Sequence, residues 1–120
     1  MRAWYLRLLP LAVGAVLLAG CASGQAGEPP TGAPAKGVDE VTVKDMKFEP
    51  AIVEVPAGTT VTWHFRDGSV PHDVKADDFN SGEPQRSGSF AHAFSTPGSY
   101  DYVCTVHPQM TGRVVVTPKQ

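Results

Sequence analysis

The chain has 120 residues, with 10 Lys and Arg against 12 Asp and Glu, and only two cysteines. A length of this order allows one folded domain, at roughly 100–200 residues per domain. Two cysteines cannot form the multi-bridge framework of a small secreted scaffold, and a net charge of −2 without a basic cluster offers no electrostatic footprint for nucleic acid. We therefore expect a single domain that does not bind nucleic acid.

The N-terminus has the pattern of a signal peptide. Two arginines precede the apolar stretch 8–19, which is shorter than the roughly 20 residues needed to span a bilayer. The stretch ends in the letters LAGC, which resemble the lipobox of bacterial lipoproteins, whose cysteine carries lipid and becomes the first residue of the mature chain. We predict that residues 1–20 are removed and that Cys21 is lipidated. The alternative is an ordinary signal peptide in which Cys21 stays unmodified.

Removal of the signal also removes two arginines, which leaves a mature chain with 8 basic and 12 acidic residues and a net charge of −4. Residues 21–37 are rich in Ala, Gly and Pro and carry hardly any large apolar side chain. This composition predicts a flexible linker attached to lipid at Cys21, with a reach of up to about 50 Å at ~3.3 Å per extended residue. The folded domain is then predicted over residues 38–120.

Short β-branched and aromatic runs dominate the chain from residue 38 onward. In the run Thr59–Phe65, the side chains of Val61, Trp63 and Phe65 fall on one face, as in a half-buried strand. Seven such strands are predicted, at residues 41–43, 52–55, 59–65, 72–75, 89–95, 99–104 and 112–117. About seven to eight short strands in ~80 residues predict an all-β fold, an antiparallel β-sandwich with Greek-key connections.

A cluster of soft metal ligands follows the sixth predicted strand. Cys104, His107 and Met110 recur at a three-residue spacing, and this combination of thiolate, imidazole and thioether suits copper. His72, on a proline-containing loop upstream, is the best candidate for a further ligand. Two His, one Cys and a weak axial Met form the blue-copper electron-transfer site. Zinc is the rival metal, but structural zinc sites use four Cys or His ligands, so Met110 favours copper.

These motifs resemble the cupredoxin family, and the C-x-x-H-x-x-M spacing is most similar to amicyanin and plastocyanin-like members. The resemblance covers about residues 41–117 and implies a single type 1 copper ion held by His72, Cys104, His107 and Met110. It also implies that His107 lies at the surface, within an apolar patch through which electrons pass. That predicted partner patch consists of Val70, Pro71, Val106 and Pro108.

Two residues depart from the amicyanin pattern. Asp73 follows the upstream histidine where the family has Asn or Ser, and we expect it to brace the ligand loop by contacting Thr105. Val106 stands where amicyanin-like loops have Pro, so the chain gains an N–H that is able to donate to the Cys104 sulfur. Such a hydrogen bond withdraws electron density from the thiolate and raises the potential.

The predicted function is that of an electron carrier and not of an enzyme. We expect a monomer that passes single electrons between a redox donor and an acceptor outside the cytoplasm, tethered to a bacterial membrane at the periplasm or at the outer face of the cytoplasmic membrane. The alternative is a copper-binding protein for sequestration or delivery, which would use the same ligands. An oxidase or a nitrite reductase would need a second copper site, and the sequence has no H-x-H pair to supply one.

Overall fold

The computed structural model describes residues 27–120, which form two four-stranded β-sheets packed as a sandwich. The predicted signal peptide and Cys21 lie outside the described residues. Within residues 27–120 no helix is long and apolar enough to cross a membrane. The eight strands are β1 (Ala35–Lys36), β2 (Glu40–Lys44), β3 (Lys47–Glu49), β4 (Ile52–Pro56), β5 (Thr59–Phe65), β6 (Gly88–Phe94), β7 (Gly98–Val103) and β8 (Thr111–Thr117).

The chain passes repeatedly from one sheet to the other. One sheet has the order β1-β4-β8-β7 and the other has the order β3-β2-β5-β6. A chain that leaves a sheet and returns to it is able to run in its original direction, and the pairs β1/β4, β4/β8 and β2/β5 are accordingly parallel. The pairs β2/β3, β5/β6 and β7/β8 are antiparallel. The predicted β-sandwich is confirmed, but the prediction that it is antiparallel is wrong, because three of its strand pairs are parallel and both sheets are mixed.

The strands differ from the sequence prediction at three places. Strands β1 and β3 were not predicted; β3 follows a two-residue turn at Asp45 and Met46, whose φ angles of 52° and 61° suit a type I′ hairpin without the usual glycine. The predicted strand at 72–75 is wrong. His72 and Lys75 form only isolated bridges, because their backbone groups pair with single residues on different segments.

The core lies between the sheets and is built by period-two alternation. Val61, Trp63 and Phe65 are buried on one face of β5, as predicted, and Val114 and Val116 are buried in the same way on β8. The Trp63 indole is surrounded by rings at centroid distances of 5.3 to 6.5 Å, belonging to Phe79, Phe90, Phe94 and Tyr102. Phe79 belongs to the segment between β5 and β6, so these aromatic contacts attach that segment to the core.

The described part of the predicted linker lies against the domain. Strand β1 pairs in parallel with β4, and the Gly37 N–H donates to the Glu54 carbonyl at 2.9 Å. At the other end of the segment, the Gly27 N–H donates to the Pro108 carbonyl at 3.0 Å. Backbone contacts with the sandwich therefore extend N-terminal to residue 38, into the segment for which a linker is predicted.

Candidate metal centre

Two loops bring the predicted metal ligands together. The upstream loop, residues 66–87, joins β5 to β6 and carries His72, whereas the downstream loop, residues 104–110, joins β7 to β8 and carries the other three. Lys75 of the upstream loop exchanges a pair of 2.9 Å backbone hydrogen bonds with Val103, the last residue of β7 and the one before the downstream loop. The loops are thereby fixed side by side at one end of the sandwich.

The donor atoms of three side chains converge. The Cys104 Sγ atom lies 3.8 Å from Nδ1 of His72 and 3.8 Å from Nδ1 of His107. The three ligand atoms all lie within 4.8 Å of one another. A metal–sulfur bond of about 2.3 Å and a metal–nitrogen bond of about 2.0 Å, set at 120°, would separate sulfur and nitrogen by about 3.7 Å. The spacing of these atoms therefore fits a single first-row metal ion.

Met110 is held beside these donors by the backbone of the downstream loop. The Cys104 N–H donates to the Met110 carbonyl at 3.1 Å, and the Met110 N–H donates to the His107 carbonyl at 2.8 Å. The Met110 side chain is buried. A set of one thiol, two imidazoles and one thioether is the soft donor set that copper prefers.

Asp67 fixes the orientation of the His72 ring. Its Oδ2 atom lies 3.2 Å from His72 Nε2 and 3.3 Å from the backbone nitrogen of Asp45. With Nε2–H donating to this carboxylate, the lone pair on Nδ1 is left free to face the Cys104 sulfur. Asp67 was not predicted as a site residue from the sequence. Its one local signal is an acidic side chain five positions before a metal-binding histidine.

The Cys104 thiol is buried among backbone donors. Burial raises its pKa above the usual value, while the N–H groups of Asp73, His107 and Val106 oppose this rise by favouring the thiolate. Because a metal binds the thiolate, the raised pKa makes loss of the thiol proton, and with it metal binding, more costly. The Val106 N–H, which the sequence analysis expects to donate to this sulfur, is among the groups that lower the pKa of the thiol.

Asp73 and Thr105 join the two loops. The Thr105 N–H donates to Asp73 Oδ1 at 2.6 Å, and the Thr105 hydroxyl donates to Oδ2 of the same carboxylate. Asp73 is one of two buried polar side chains of the described chain, and His72 is the other. The Asp73 carboxylate therefore links the upstream loop to the downstream loop through Thr105.

The residues of the predicted partner patch all reach the surface. The Val106 side chain is 40% exposed, and Val70, Pro71 and Pro108 are half-buried, as is His107. His72, by contrast, is completely buried. Of the two imidazoles, only that of His107 is accessible from outside the protein.

The donor set, the two loops and the β-sandwich agree with comparisons to known proteins. A family model described as a cupredoxin-like domain matches residues 10–116. The chain belongs to the cupredoxin family. It is 37% identical to amicyanin-alpha from Methylorubrum extorquens over 91 residues, which cover 67% of this chain and 72% of that protein. It is also 37% identical to amicyanin from Paracoccus denitrificans over 89 residues, which cover 68% of this chain and 67% of that protein.

Solved cupredoxin structures show the same architecture. A purple cupredoxin from Nitrosopumilus maritimus superposes with a TM-score of 0.60 at 31% identity, covering 67% of this chain and all of that one. An oxidised methionine-to-leucine variant of amicyanin gives a TM-score of 0.61 at 30% identity, covering 73% and 95% of the two chains. Cupredoxins carry electrons on one bound copper and are not enzymes. The predicted family, copper cofactor and non-enzymatic class are therefore confirmed.

Proposed function

We propose that this cupredoxin is a lipid-anchored blue-copper protein that shuttles single electrons between redox partners outside the cytoplasm. The observation that carries the proposal is the convergence of Cys104 Sγ with the two histidine Nδ1 atoms at 3.8 Å each. His72, Cys104, His107 and Met110 would hold the ion. When bound, copper supplies the one-electron Cu(II)/Cu(I) couple.

The protein contributes a ligand cage that is already assembled. Asp67 orients the His72 ring, the Asp73–Thr105 contact joins the loops, and backbone hydrogen bonds close the downstream loop. Ligands fixed in this way change position little between the two oxidation states, so the structural reorganisation that accompanies electron transfer is small. A small reorganisation favours fast transfer of single electrons.

Electrons would enter and leave through His107. Its imidazole is half-buried beside the exposed Val106, whereas the His72 ring is sealed inside the protein. The surrounding patch of Val70, Pro71, Val106 and Pro108 is apolar and small, which suits brief encounters with redox proteins better than permanent assembly. We accordingly propose a monomer that meets its donor and its acceptor in turn.

The membrane anchor would be lipid on Cys21. Cys104 has no disulfide partner in the described chain and faces the two histidines, so metal binding accounts for that cysteine. Cys21 is the other cysteine of the chain, and it ends the lipobox-like sequence LAGC, so we assign the lipid to it. The amicyanin relatives support a location outside the cytoplasm.

The absorption spectrum and the voltammetry of the copper-loaded protein test the proposal. We expect an intense visible band from thiolate-to-copper charge transfer, a reversible one-electron wave and one copper per chain. Cys104→Ser should remove the visible band. Met110→Leu should shift the midpoint potential, whereas Met46→Leu, at an exposed methionine of the β2–β3 turn, should not.

Other outcomes would contradict this function in distinguishable ways. Tight, colourless binding of Cu(I) without a reversible wave would identify a copper sequestration or delivery protein. A stoichiometry above one copper per chain would point to a second site and an enzymatic role.

A further inference from the structure

The segment Gly27–Pro30 lies directly on the downstream metal-binding loop. The Gly27 N–H donates to the Pro108 carbonyl at 3.0 Å, and the Thr111 hydroxyl donates to the Glu28 carbonyl at 2.7 Å. Pro108 follows the proposed ligand His107, and Thr111 follows Met110. Both contacts therefore hold the N-terminal segment at the metal end of the domain.

The fit of this segment depends on a glycine. A Cβ atom at Gly27 would lie 2.7 Å from the Pro108 carbonyl oxygen and 2.7 Å from the Gln109 Cα atom. Both are backbone atoms, which cannot turn aside as the end of a flexible side chain would. Only glycine allows the two backbones to approach this closely.

The rest of the segment is also held in place. Pro29 and Pro30 line a groove together with Tyr102 and Gly112, and their rings restrict the backbone in the unfolded chain as well as in the folded one. Farther along, β1 pairs with β4. The segment is thus tied to the domain at both of its ends.

We propose that residues 27–36 are a strap that delivers the membrane tether to the metal end of the domain, so that lipid on Cys21 holds this end toward the bilayer. The inference rests on the lipidation in the proposed function. Between Cys21 and Gly27 there are six residue steps, which span at most about 20 Å. A free linker over residues 22–37 would instead reach about 50 Å.

The partner that fits this arrangement is a redox protein whose electron-exchange site lies close to the same membrane. Pro108, where the strap is held, adjoins His107, the proposed route for electrons. A strap of this kind limits the distance between His107 and the bilayer surface. Electron exchange with a partner whose exchange site lies far above the bilayer would be slow.

Hydrogen exchange measured by NMR on the mature full chain tests the strap itself. We expect the amide of Gly27 to exchange at least ten times more slowly than an unprotected amide, because it donates to Pro108. Gly27→Ala should abolish this protection. The matched control is Gly68→Ala, whose added methyl meets nothing within 4 Å, and it should leave the Gly27 amide protected. A Gly27 amide that exchanges freely in the unaltered protein would overturn the strap, as would undiminished protection in Gly27→Ala.

Vesicles that carry the lipidated protein test the orientation. The probe is a phosphatidylcholine bilayer with nitroxide-labelled headgroups, whose relaxation is enhanced by Cu(II) at short range. We expect a clear enhancement with the unaltered protein and with Gly68→Ala, and an enhancement at least threefold smaller with Gly27→Ala, because the freed strap lengthens the tether. Equal enhancement with Gly27→Ala and the unaltered protein would overturn the orientation. An intact mass without lipid on Cys21 would remove the anchor, while the exchange result would still report on the strap.

Discussion

The two histidines of the centre occupy equivalent positions about the sulfur but have different surroundings. Each places Nδ1 3.8 Å from Cys104 Sγ. The His72 ring is wholly buried and bonded to Asp67, and its backbone exchanges two hydrogen bonds with Gln85. The His107 ring is half-buried, and beyond Cys104 no side-chain hydrogen bond of the described chain involves it. The upstream histidine is therefore built for fixed geometry, and the downstream one for access.

The largest expected effect comes from replacing each histidine with glycine. Either variant should lose the visible band of the copper protein, because one nitrogen ligand is removed. Added imidazole should restore the band in His107→Gly, whose vacated position opens to solvent, and should fail to do so in His72→Gly. Absorption titrations with millimolar imidazole measure this difference.

Equal restoration of the visible band by imidazole in both variants would contradict the difference in accessibility between the two histidines. Such a result would mean that the interior around His72 opens readily, in spite of its burial. Circular dichroism of both proteins serves as the control for folding.

Removal of the Asp67 carboxylate should weaken copper binding. Without it the His72 ring loses the partner that fixes its tautomer and orientation, and partners of this kind are typically worth 10- to 100-fold in metal affinity. We expect a loss in this range for Asp67→Ala, and a smaller loss for Asp67→Asn, whose amide oxygen is able to accept from Nε2–H. Competition titrations against a copper chelator measure the affinity. The exposed Asp78→Ala, which removes the same charge, should bind copper normally.

The connection between the two loops is tested at Thr105. Thr105→Val removes the hydroxyl that donates to Asp73 and leaves a buried carboxylate with one donor fewer. The free energy of unfolding should fall by about 1–2 kcal/mol, whereas Thr105→Ser, which keeps the donor, should lose about 0.5 kcal/mol or less. Urea denaturation of the copper-free protein gives both values. Equal losses in the two variants would show that the methyl group matters and the hydroxyl does not.

The smallest expected effect concerns the Val106 N–H. Val106→Pro removes a donor that favours the Cys104 thiolate, so electron density returns to the sulfur and the midpoint potential should fall. A hydrogen bond worth about 0.5–1.5 kcal/mol corresponds to roughly 20–60 mV in a one-electron couple. Val106→Ala keeps the N–H and should leave the potential within about 10 mV of the unaltered value, on the same conversion. A rise in Val106→Pro would contradict the proposed hydrogen bond.

Features encoded locally were predictable from the sequence. The alternation of Val61, Trp63 and Phe65 indicated a half-buried strand, and the three-residue spacing of the downstream ligands indicated a soft metal site. His72 lies 32 residues before Cys104, and it was found only because the donor set needed another imidazole. These predictions rest on side-chain chemistry, which the sequence displays directly.

Features that depend on backbone contacts over long distances were not predictable. Thr111 and Glu28 are 83 residues apart, and no sequence pattern in either segment predicts the hydrogen bond between them. The composition of residues 21–37 favoured a flexible linker because it lacks large apolar side chains. A strand as short as β1 needs only backbone groups and an open sheet edge, so side-chain composition does not reveal it.

The burial of His72 affects how a copper ion would enter and leave the protein. In the described part of the chain the His72 ring is sealed by Asp67 and by the Gln85 backbone, so a copper ion held at this centre would be reached from solvent through an opening on the side of His107. Copper loading, copper loss and electron exchange would then share this opening. A docked partner would cover this opening. The protein would then lose copper most slowly while it is transferring an electron.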